Sequence, residues 1–242
     1  MRAAESEKMN VTIKPTRPNA IGAKDAEKGV DHKEVARKLK QDYVYGSKDP
    51  SIRALDSVNT LVKHLMRDNP NLDEMLEQAS KVIFTQFNIK EVSIGLKTPT
   101  DGLFRYVKMH GMRSDVWEAH KKLAYTAEQL LDPRKYKHTV ISPNTRLYLA
   151  EDNPYGVDEA YTFSEHLMSV SKRKALDDSI EGDYVDVFIY GPNNDILGWI
   201  ETGGTWDNKI PDARTLRCLE IVASVLGIAI SRHNAAAGHL SA

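Results

Sequence analysis

The chain has 242 residues, a length that suits one ordinary domain with appendages. Its 33 basic and 34 acidic side chains give a formal net charge of -1, so nucleic acid and anionic membrane are not expected as partners. The single cysteine, Cys218, excludes an intramolecular disulfide and a multi-cysteine metal site. We find no signal-peptide pattern and no apolar run near the ~20 residues of a membrane span, which predicts a cytoplasmic protein.

Residues 1–49 are predicted to form a flexible N-terminal tail. Up to about Val30 the segment is poor in large apolar residues, so it cannot bury enough surface to offset the entropy of ordering. Val35, Leu39 and Tyr43 recur at four-residue spacing and predict one short helix within the tail.

Residues 50–70 are predicted to form an amphipathic helix. Its apolar stripe consists of Ile52, Leu55, Val58, Leu61, Val62, Leu65 and Met66. We expect the sheet of the following domain to close without this stripe, which then has a partner to find. The sequence therefore predicts a homodimer, with Leu55, Val58, Val62 and Leu65 as the candidate interface.

Residues 71–233 contain the elements of one α+β domain. Asn71 is a plausible N-cap for a helix, and Pro99–Gly102 is the turn of a first β-hairpin. An insert follows, for which we expect a helix at 115–131, a strand at 138–142, an irregular segment to about residue 162 and a helix at 163–176.

A second hairpin and a long helix complete this domain. Residues 183–190 and 195–202 are predicted to pair around Gly191–Asn194, and a helix begins at Pro211. Consecutive hairpins favour an antiparallel sheet, one face of which the first and last helices can cover. Residues 234–242 are expected to be a C-terminal tail.

The last third of the chain resembles a GAF domain. Gly182–Val187 and Gly191–Ile200 are similar to that family's paired strands, with a "GD" start and an "LG" step, and Ile210–Ile230 resembles its C-terminal helix, which ends in "AI". The resemblance implies a central antiparallel sheet with the N- and C-terminal helices on one face and a loop and helix insert on the other. Family members bind cyclic nucleotides, bilins, haem or small metabolites on the insert side.

The cofactor is unknown from the sequence, since no bilin or cyclic-nucleotide signature is present. Asn208-Lys209 is not followed by the Phe and Asp-Glu that cyclic-nucleotide-binding members carry. Cys218 lies inside the last helix, where it is expected to face away from the pocket and to be a small buried hydrophobe. The histidines lack metal-ligand spacing, so no metal site is predicted.

A candidate ligand pocket follows from the alternation of side chains along the strands. Val185, Val187 and Ile189 should face the helices, and the opposite face of the hairpins, together with aromatic and basic residues of the insert, should line the pocket. The candidate lining residues are Tyr106, Lys108, His110, Trp117, Tyr125, Arg146, Tyr148, Tyr184, Asp186, Phe188, Trp199 and Glu201.

Structural alternatives exist for several of these residues. Asp186 could be satisfied by loop amides or by Arg146, and charged strand residues could be solvated at a sheet edge. Most insert aromatics could form the insert's own small core.

The leading hypothesis is a non-enzymatic, small-molecule-binding sensor module for signal transduction that acts through a helix-mediated dimer and a downstream protein partner. An alternative is a dimerisation or scaffold module without a ligand. A remote alternative is a metal-dependent enzyme that uses the acidic cluster Asp177, Asp178, Glu181 and Asp183.

Overall fold

A computed structural model of the chain describes residues 31–46, 49–67, 71–153, 159 and 161–239. The chain divides into two compact units, the first of which ends at Tyr45. Helix α1 (His32–Gly46) accounts for its described part and confirms the short helix predicted there. Its stripe of Val35, Leu39 and Tyr43 is exposed. The rest of the predicted tail, residues 1–30, lies outside the described residues.

The second unit is built on an antiparallel sheet, to which six strands contribute among the described residues. They are β1 (Val92–Lys97), β2 (Phe104–His110), β3 (Thr139–Val140), β4 (Thr145–Tyr148), β5 (Tyr184–Tyr190) and β6 (Ile196–Thr202). Their order is β2-β1-β6-β5-β4-β3, and each neighbouring pair is antiparallel. Both predicted hairpins are present, and the α+β fold class is confirmed.

A layer of three helices lies on one face of the sheet: α3 (Leu72–Gln86) and α7 (Ala213–His239) contact the strands, and α2 (Pro50–Leu65) packs on these two helices. Asn71 caps α3 as predicted, since its side chain accepts the backbone N–H of Asp73 at 2.9 Å. The aliphatic side chains of β5 pack against this layer, which confirms the predicted assignment of the two strand faces. The fully buried residues at this interface include Ile83, Val187, Ile200, Leu219, Val222 and Leu226.

Helix α2 belongs to this core, which corrects the premise that its apolar stripe lacks a partner. Val58 and Leu65 are each 6% exposed and pack with α3 and α7, and Val62 is partly buried against the same cluster. Of the four candidate interface residues, Leu55 remains exposed. Val58 and Leu65 are therefore covered by α3 and α7 of the same chain.

The insert on the other face differs from its prediction in three places. The expected helix at 115–131 is two short helices, α4 (Ser114–His120) and α5 (Ala127–Leu131), because Tyr125 between them pairs its backbone with Phe104 at the sheet edge. Strand β4 lies within the segment expected to be irregular. The last helix of the insert, α6 (Glu165–Val170), is shorter than the predicted 163–176.

The C-terminal boundary is also corrected. Helix α7 continues to His239, so residues 234–239 are helical and do not form a tail. Asn234 is followed by three alanines, the residue with the highest helix propensity, which favours continuation beyond the packed part of the helix. Residues 240–242 lie outside the described residues.

Candidate functional site

A cavity of about 170 Å³ lies between the sheet and the insert, on the face opposite the helix layer. Strands β2, β5 and β6 provide one wall through alternate side chains that point away from the helices. The insert and the loops at the strand ends provide the other. Aromatic rings and carboxylates dominate the lining, which includes Tyr106, Tyr125, Tyr136, Tyr148, Tyr184, Trp199, Glu91, Glu159, Glu181, Asp183, Asp186 and Glu201.

Trp199 lies in the wall of this cavity because its neighbour on β1 has no side chain. Gly95 pairs with Trp199 across the two strands, and a Cβ atom on Gly95 would lie 2.1 Å from an atom of the indole ring. The ring of Tyr106 packs edge-on against the same indole, with 5.0 Å between centroids. The missing side chain of Gly95 thus fixes the position of two aromatic groups of the cavity.

Glu201 is held by residues of β2 and α4. The Tyr106 hydroxyl donates a hydrogen bond of 2.7 Å to Oε2 of Glu201, and Nε2 of His120 lies 3.9 Å from Oε1. His120 is itself buried, and its Nδ1 lies 2.9 Å from the carbonyl oxygen of Val116, which orients the ring. Burial, and next the charge of Glu201, raise the pKa of Tyr106 well above its ordinary value, so this hydroxyl keeps its proton to donate.

Asp186 is buried in the cavity wall, with 5% of its surface exposed. Within the described residues its Oδ1 atom has no hydrogen-bond partner. Its in-register neighbours are Glu201 on β6 and Arg146 on β4. Burial and the charge of Glu201 raise the pKa of Asp186 well above its ordinary value.

Arg146 does not pair with Asp186, which was one of the alternatives that the sequence left open. Its guanidinium donates to the carbonyl oxygens of Ser142 and Pro143, at 3.1 and 3.2 Å, and lies over the ring of Phe188. Its charge lowers the pKa of Asp186 less than the hydrogen bond with Tyr148 does. The two side chains form no ion pair within the described residues.

Hydrogen bonds of three acidic residues hold the insert and the adjoining loops in place. Glu159 accepts from the hydroxyl of Tyr136, and Glu181 accepts from the backbone N–H of Ser164 at 2.8 Å. Nη2 of Arg173 donates to both carboxylate oxygens of Asp183, each at 2.9 Å. These contacts connect separate parts of the insert and of the loop before β5 to one another.

An antiparallel sheet with the terminal helices on one face and a cavity roofed by an insert on the other is the arrangement that the sequence resemblance implied. The sheet, the helix layer and the insert thus agree with that expectation. No protein-family model matches the chain, and no curated protein matches it.

Solved structures similar to this chain include GAF domains from bacterial proteins. That of a phosphoenolpyruvate-protein phosphotransferase from Acinetobacter has 13% sequence identity and a TM-score of 0.46, and the match covers 74% of this chain and 94% of that one. For the corresponding domain from Coxiella burnetii the values are 14%, 0.47, 77% and 98%. For the nlh2 GAF domain of A. aeolicus they are 12%, 0.47, 76% and 99%.

Seven of the twelve candidate pocket residues line the cavity. They are Tyr106, Tyr125, Tyr148, Tyr184, Asp186, Trp199 and Glu201. Trp117 and Phe188 pack in the aromatic core of the insert side, and Arg146 lies over Phe188. Contact with a ligand stays a prediction for the seven lining residues. Trp117, Phe188 and Arg146 lie outside the lining and are no longer candidates.

Lys108 and His110 lie on the helix face of the sheet, and their assignment to the pocket is wrong. A β-bulge causes the change of face: Gly95 pairs with Tyr106, but Ile94 pairs with Lys108, so one extra residue interrupts the alternation. Lys108 therefore reaches Asp73 of α3 at 2.9 Å, and the ring of His110 stacks on Phe84 of the same helix.

The acidic cluster at 177–183 has partners of its own. Lys209 binds Asp177 at 3.0 Å and Asp178 at 2.7 Å, and Asp178 also accepts two backbone N–H groups. Among the described residues no group of three or more His, Cys, Asp or Glu side chains is placed to hold a metal ion. None of the described helices is long and apolar enough to cross a membrane.

Sequence reasoning did not identify Glu91, Glu159 or Glu181 as lining residues. Glu91 comes directly before β1, and its pKa is raised by burial and next by the charge of Glu181. Glu159 lies in the insert, far along the chain from the strands that it faces. Their convergence depends on the path of the insert, for which the sequence carries no periodic signal.

Proposed function

We propose that this chain is a non-enzymatic regulatory module that binds a small ligand in the cavity between the sheet and the insert. The observation that carries the proposal is a preformed cavity on which aromatic rings and several polar side chains converge, an arrangement that makes it the default candidate for a ligand site. One of those groups, the Oδ1 atom of Asp186, is buried without a partner within the described residues. A buried polar atom in that state favours a ligand that would satisfy it.

The size of the cavity limits the ligand to a compact molecule. Its volume of about 170 Å³ is close to that of an engineered protein cavity of roughly 150 Å³ that binds benzene. A molecule built on a single ring fits this space, whereas a cyclic nucleotide or a bilin exceeds it. The volume of the cavity therefore favours neither of these two ligands, for which the sequence also carries no signature.

The strands that line the cavity also pack against the helix layer, so a change in the cavity on ligand binding could reach the helices. Asp186 faces the cavity, while Val185 and Val187 of the same strand pack in the core with α7. The helix approaches β5 so closely that a Cβ atom on Gly227 would lie 2.5 Å from the carbonyl oxygen of Tyr190. A shift of β5 on ligand binding would therefore move α7.

We further propose that a second copy of this chain receives the signal on the outer surface of the helix layer. Leu55 of α2 and Ile221 and Ile228 of α7 expose 55%, 43% and 49% of their surface. This surface replaces the interface predicted from the sequence, because Val58 and Leu65 are buried within the chain.

A thermal-shift screen of the full chain against neutral, cationic and anionic metabolites tests the ligand proposal. Hits should be lost in Leu123→Trp, which fills the cavity from the insert side, and retained in Leu131→Trp, a matched control on α5 that is 40% exposed and outside the lining. Native mass spectrometry of freshly purified protein would reveal a ligand that is already bound. A screen without hits and a bare mass would favour the scaffold alternative.

A further inference from the structure

Two carboxylates, one buried and one partly buried, face each other in the cavity wall. Asp186 and Glu201 are directly opposite in the register of β5 and β6, and such pairs have Cβ atoms about 4.5–5.5 Å apart. Asp186 is 5% exposed, and the side chain of Glu201 is 14% exposed. Like charges at this spacing, with little water to screen them, destabilise the protein unless a proton or a cation lies between them.

The described contacts leave one place for such a cation. Glu201 already accepts the Tyr106 hydroxyl on one oxygen and has His120 at 3.9 Å from the other. Arg146, the nearest guanidinium in the sheet register, is engaged with backbone carbonyls. The open position is therefore beside Oδ1 of Asp186, on the cavity side.

The surroundings of this pair are acidic as well. Glu91, Glu181 and Asp183 also line the cavity, and in the described contacts Asp183 is paired with Arg173, whereas Glu181 accepts a backbone N–H. Lys90, the lysine of the lining, is exposed. A low-dielectric cavity with a surplus of one sign of charge concentrates the opposite sign.

The walls favour an organic cation over a metal ion. The rings of Tyr106, Tyr148, Tyr184 and Trp199 line the space, and aromatic faces attract ammonium groups and cover apolar carbon. Across the described residues no cluster of three or more metal-ligating side chains is formed.

We propose that the ligand is a small organic cation, whose ammonium group binds between Asp186 and Glu201 and whose apolar body lies against the aromatic walls. This inference rests on the proposed ligand-binding function and narrows it to one chemical class. The ammonium would donate to Oδ1 of Asp186 and compensate both carboxylates, and a body of about one ring would fill the remaining volume.

Titration calorimetry of the full chain with three probes of one size tests the charge preference. The probes are benzylammonium, benzyl alcohol and benzoate at pH 7.5. We expect benzylammonium to bind at least 10-fold more tightly than benzyl alcohol, and benzoate not to bind. Equal affinity for benzylammonium and benzyl alcohol would overturn the inference and leave the ligand-binding proposal in place. Failure of all three would overturn the inference, while the metabolite screen decides the proposed function separately.

Asp186→Asn and Asp195→Asn form the matched pair of variants. Asp195 lies exposed in the turn of the same hairpin, outside the cavity lining. Asp186→Asn keeps the size of the side chain and should lower benzylammonium affinity at least 10-fold without weakening benzyl alcohol, and Asp195→Asn should bind both as the unchanged chain does. A variant at Asp186 that retains the preference for the ammonium would contradict the assignment, and circular dichroism would verify that each variant is folded.

Discussion

At the scale of single residues, the Asp186 carboxylate has opposite consequences for folding and for binding. Burial and the neighbouring charge of Glu201 raise its pKa, so the folded protein retains this proton to a higher pH than the unfolded chain does. Stability falls as the pH rises from the ordinary pKa of an aspartate through the raised pKa, because the unfolded state then binds fewer protons. The charge that would hold a cation is thus a cost to the empty protein.

Asp186→Asn is predicted to stabilise the ligand-free protein, and increasingly so with rising pH. Asparagine cannot ionise beside the groups that face this position, which are Glu201 of β6 and Arg146 and Tyr148 of β4. The difference in the free energy of unfolding between the variant and the unchanged chain should increase by about 1 kcal/mol from pH 5 to pH 8. This is the lower end of the cost of a buried polar group without a hydrogen-bond partner. Urea denaturation at both pH values measures it, and a variant that is less stable than the unchanged chain at pH 8 would contradict the reasoning.

Gly95→Ala is predicted to displace Trp199 and to destabilise the fold. The added Cβ atom would lie 2.1 Å from the indole, an overlap that neither side of the strand pair can absorb without moving. Overpacking of this kind costs about 1–3 kcal/mol. Gly203→Ala is the control, because its Cβ atom would meet no atom closer than 3.5 Å, and it should change stability by less than ~0.5 kcal/mol. Equal effects of the two alanines in denaturant titrations would refute this explanation.

At the scale of secondary-structure elements, the features that depend only on neighbouring residues in the chain were predictable from the sequence. The alternation of β5 correctly separated Asp186 from Val185 and Val187, and Asn71 was recognised as a helix cap. The faces of Lys108 and His110 were not predictable, because the bulge before Lys108 arises from pairing with β1 and has no composition signal.

The packing of α2 could not be read from its own sequence either. An amphipathic stripe predicts that one face of the helix will be buried. It does not indicate whether the residues that bury it belong to the same chain or to another. Here the cover is α3 and α7. For the same reason the number of cavity carboxylates was underestimated, since Glu159 reaches the site only through the fold of the insert.

Leu61→Ala and Leu55→Ala separate the two faces of α2. Leu61 is 1% exposed and lies in the core, so its truncation should lower the free energy of unfolding by about 2–5 kcal/mol. Leu55 is 55% exposed, and its truncation should change the stability of the single chain by less than ~0.5 kcal/mol. Thermal and urea denaturation at low protein concentration compare them, and a small loss for Leu61→Ala would show that α2 is not part of the core.

At the scale of the whole molecule, the two faces of the sheet differ, with a cavity on the insert side and a helix layer on the other. The order of elements predicted an antiparallel sheet with helices on one face, because consecutive hairpins and terminal helices leave few ways to cover a sheet, while the insert on the other face was implied by the family resemblance. The identity of the cavity's occupant was not predictable from that order.

The proposed dimer predicts that the exposed part of the helix layer controls association. Light scattering on the full chain should give the mass of two copies, and the double variant Leu55→Asp with Ile228→Asp should give one, because a charge at each exposed position opposes burial. Val140→Asp on β3, which is 60% exposed and on a different element, should remain dimeric. A concentration-independent monomer for the unchanged chain would exclude the dimer.

The most direct test of the ligand-binding account is a crystal structure of the full chain soaked with the strongest hit of the thermal-shift screen. The account predicts density for the compound in the cavity between β5, β6 and the insert, with a polar group within hydrogen-bond distance of Oδ1 of Asp186. Density for the compound at another surface, with this cavity empty or filled by side chains of the insert, would contradict it.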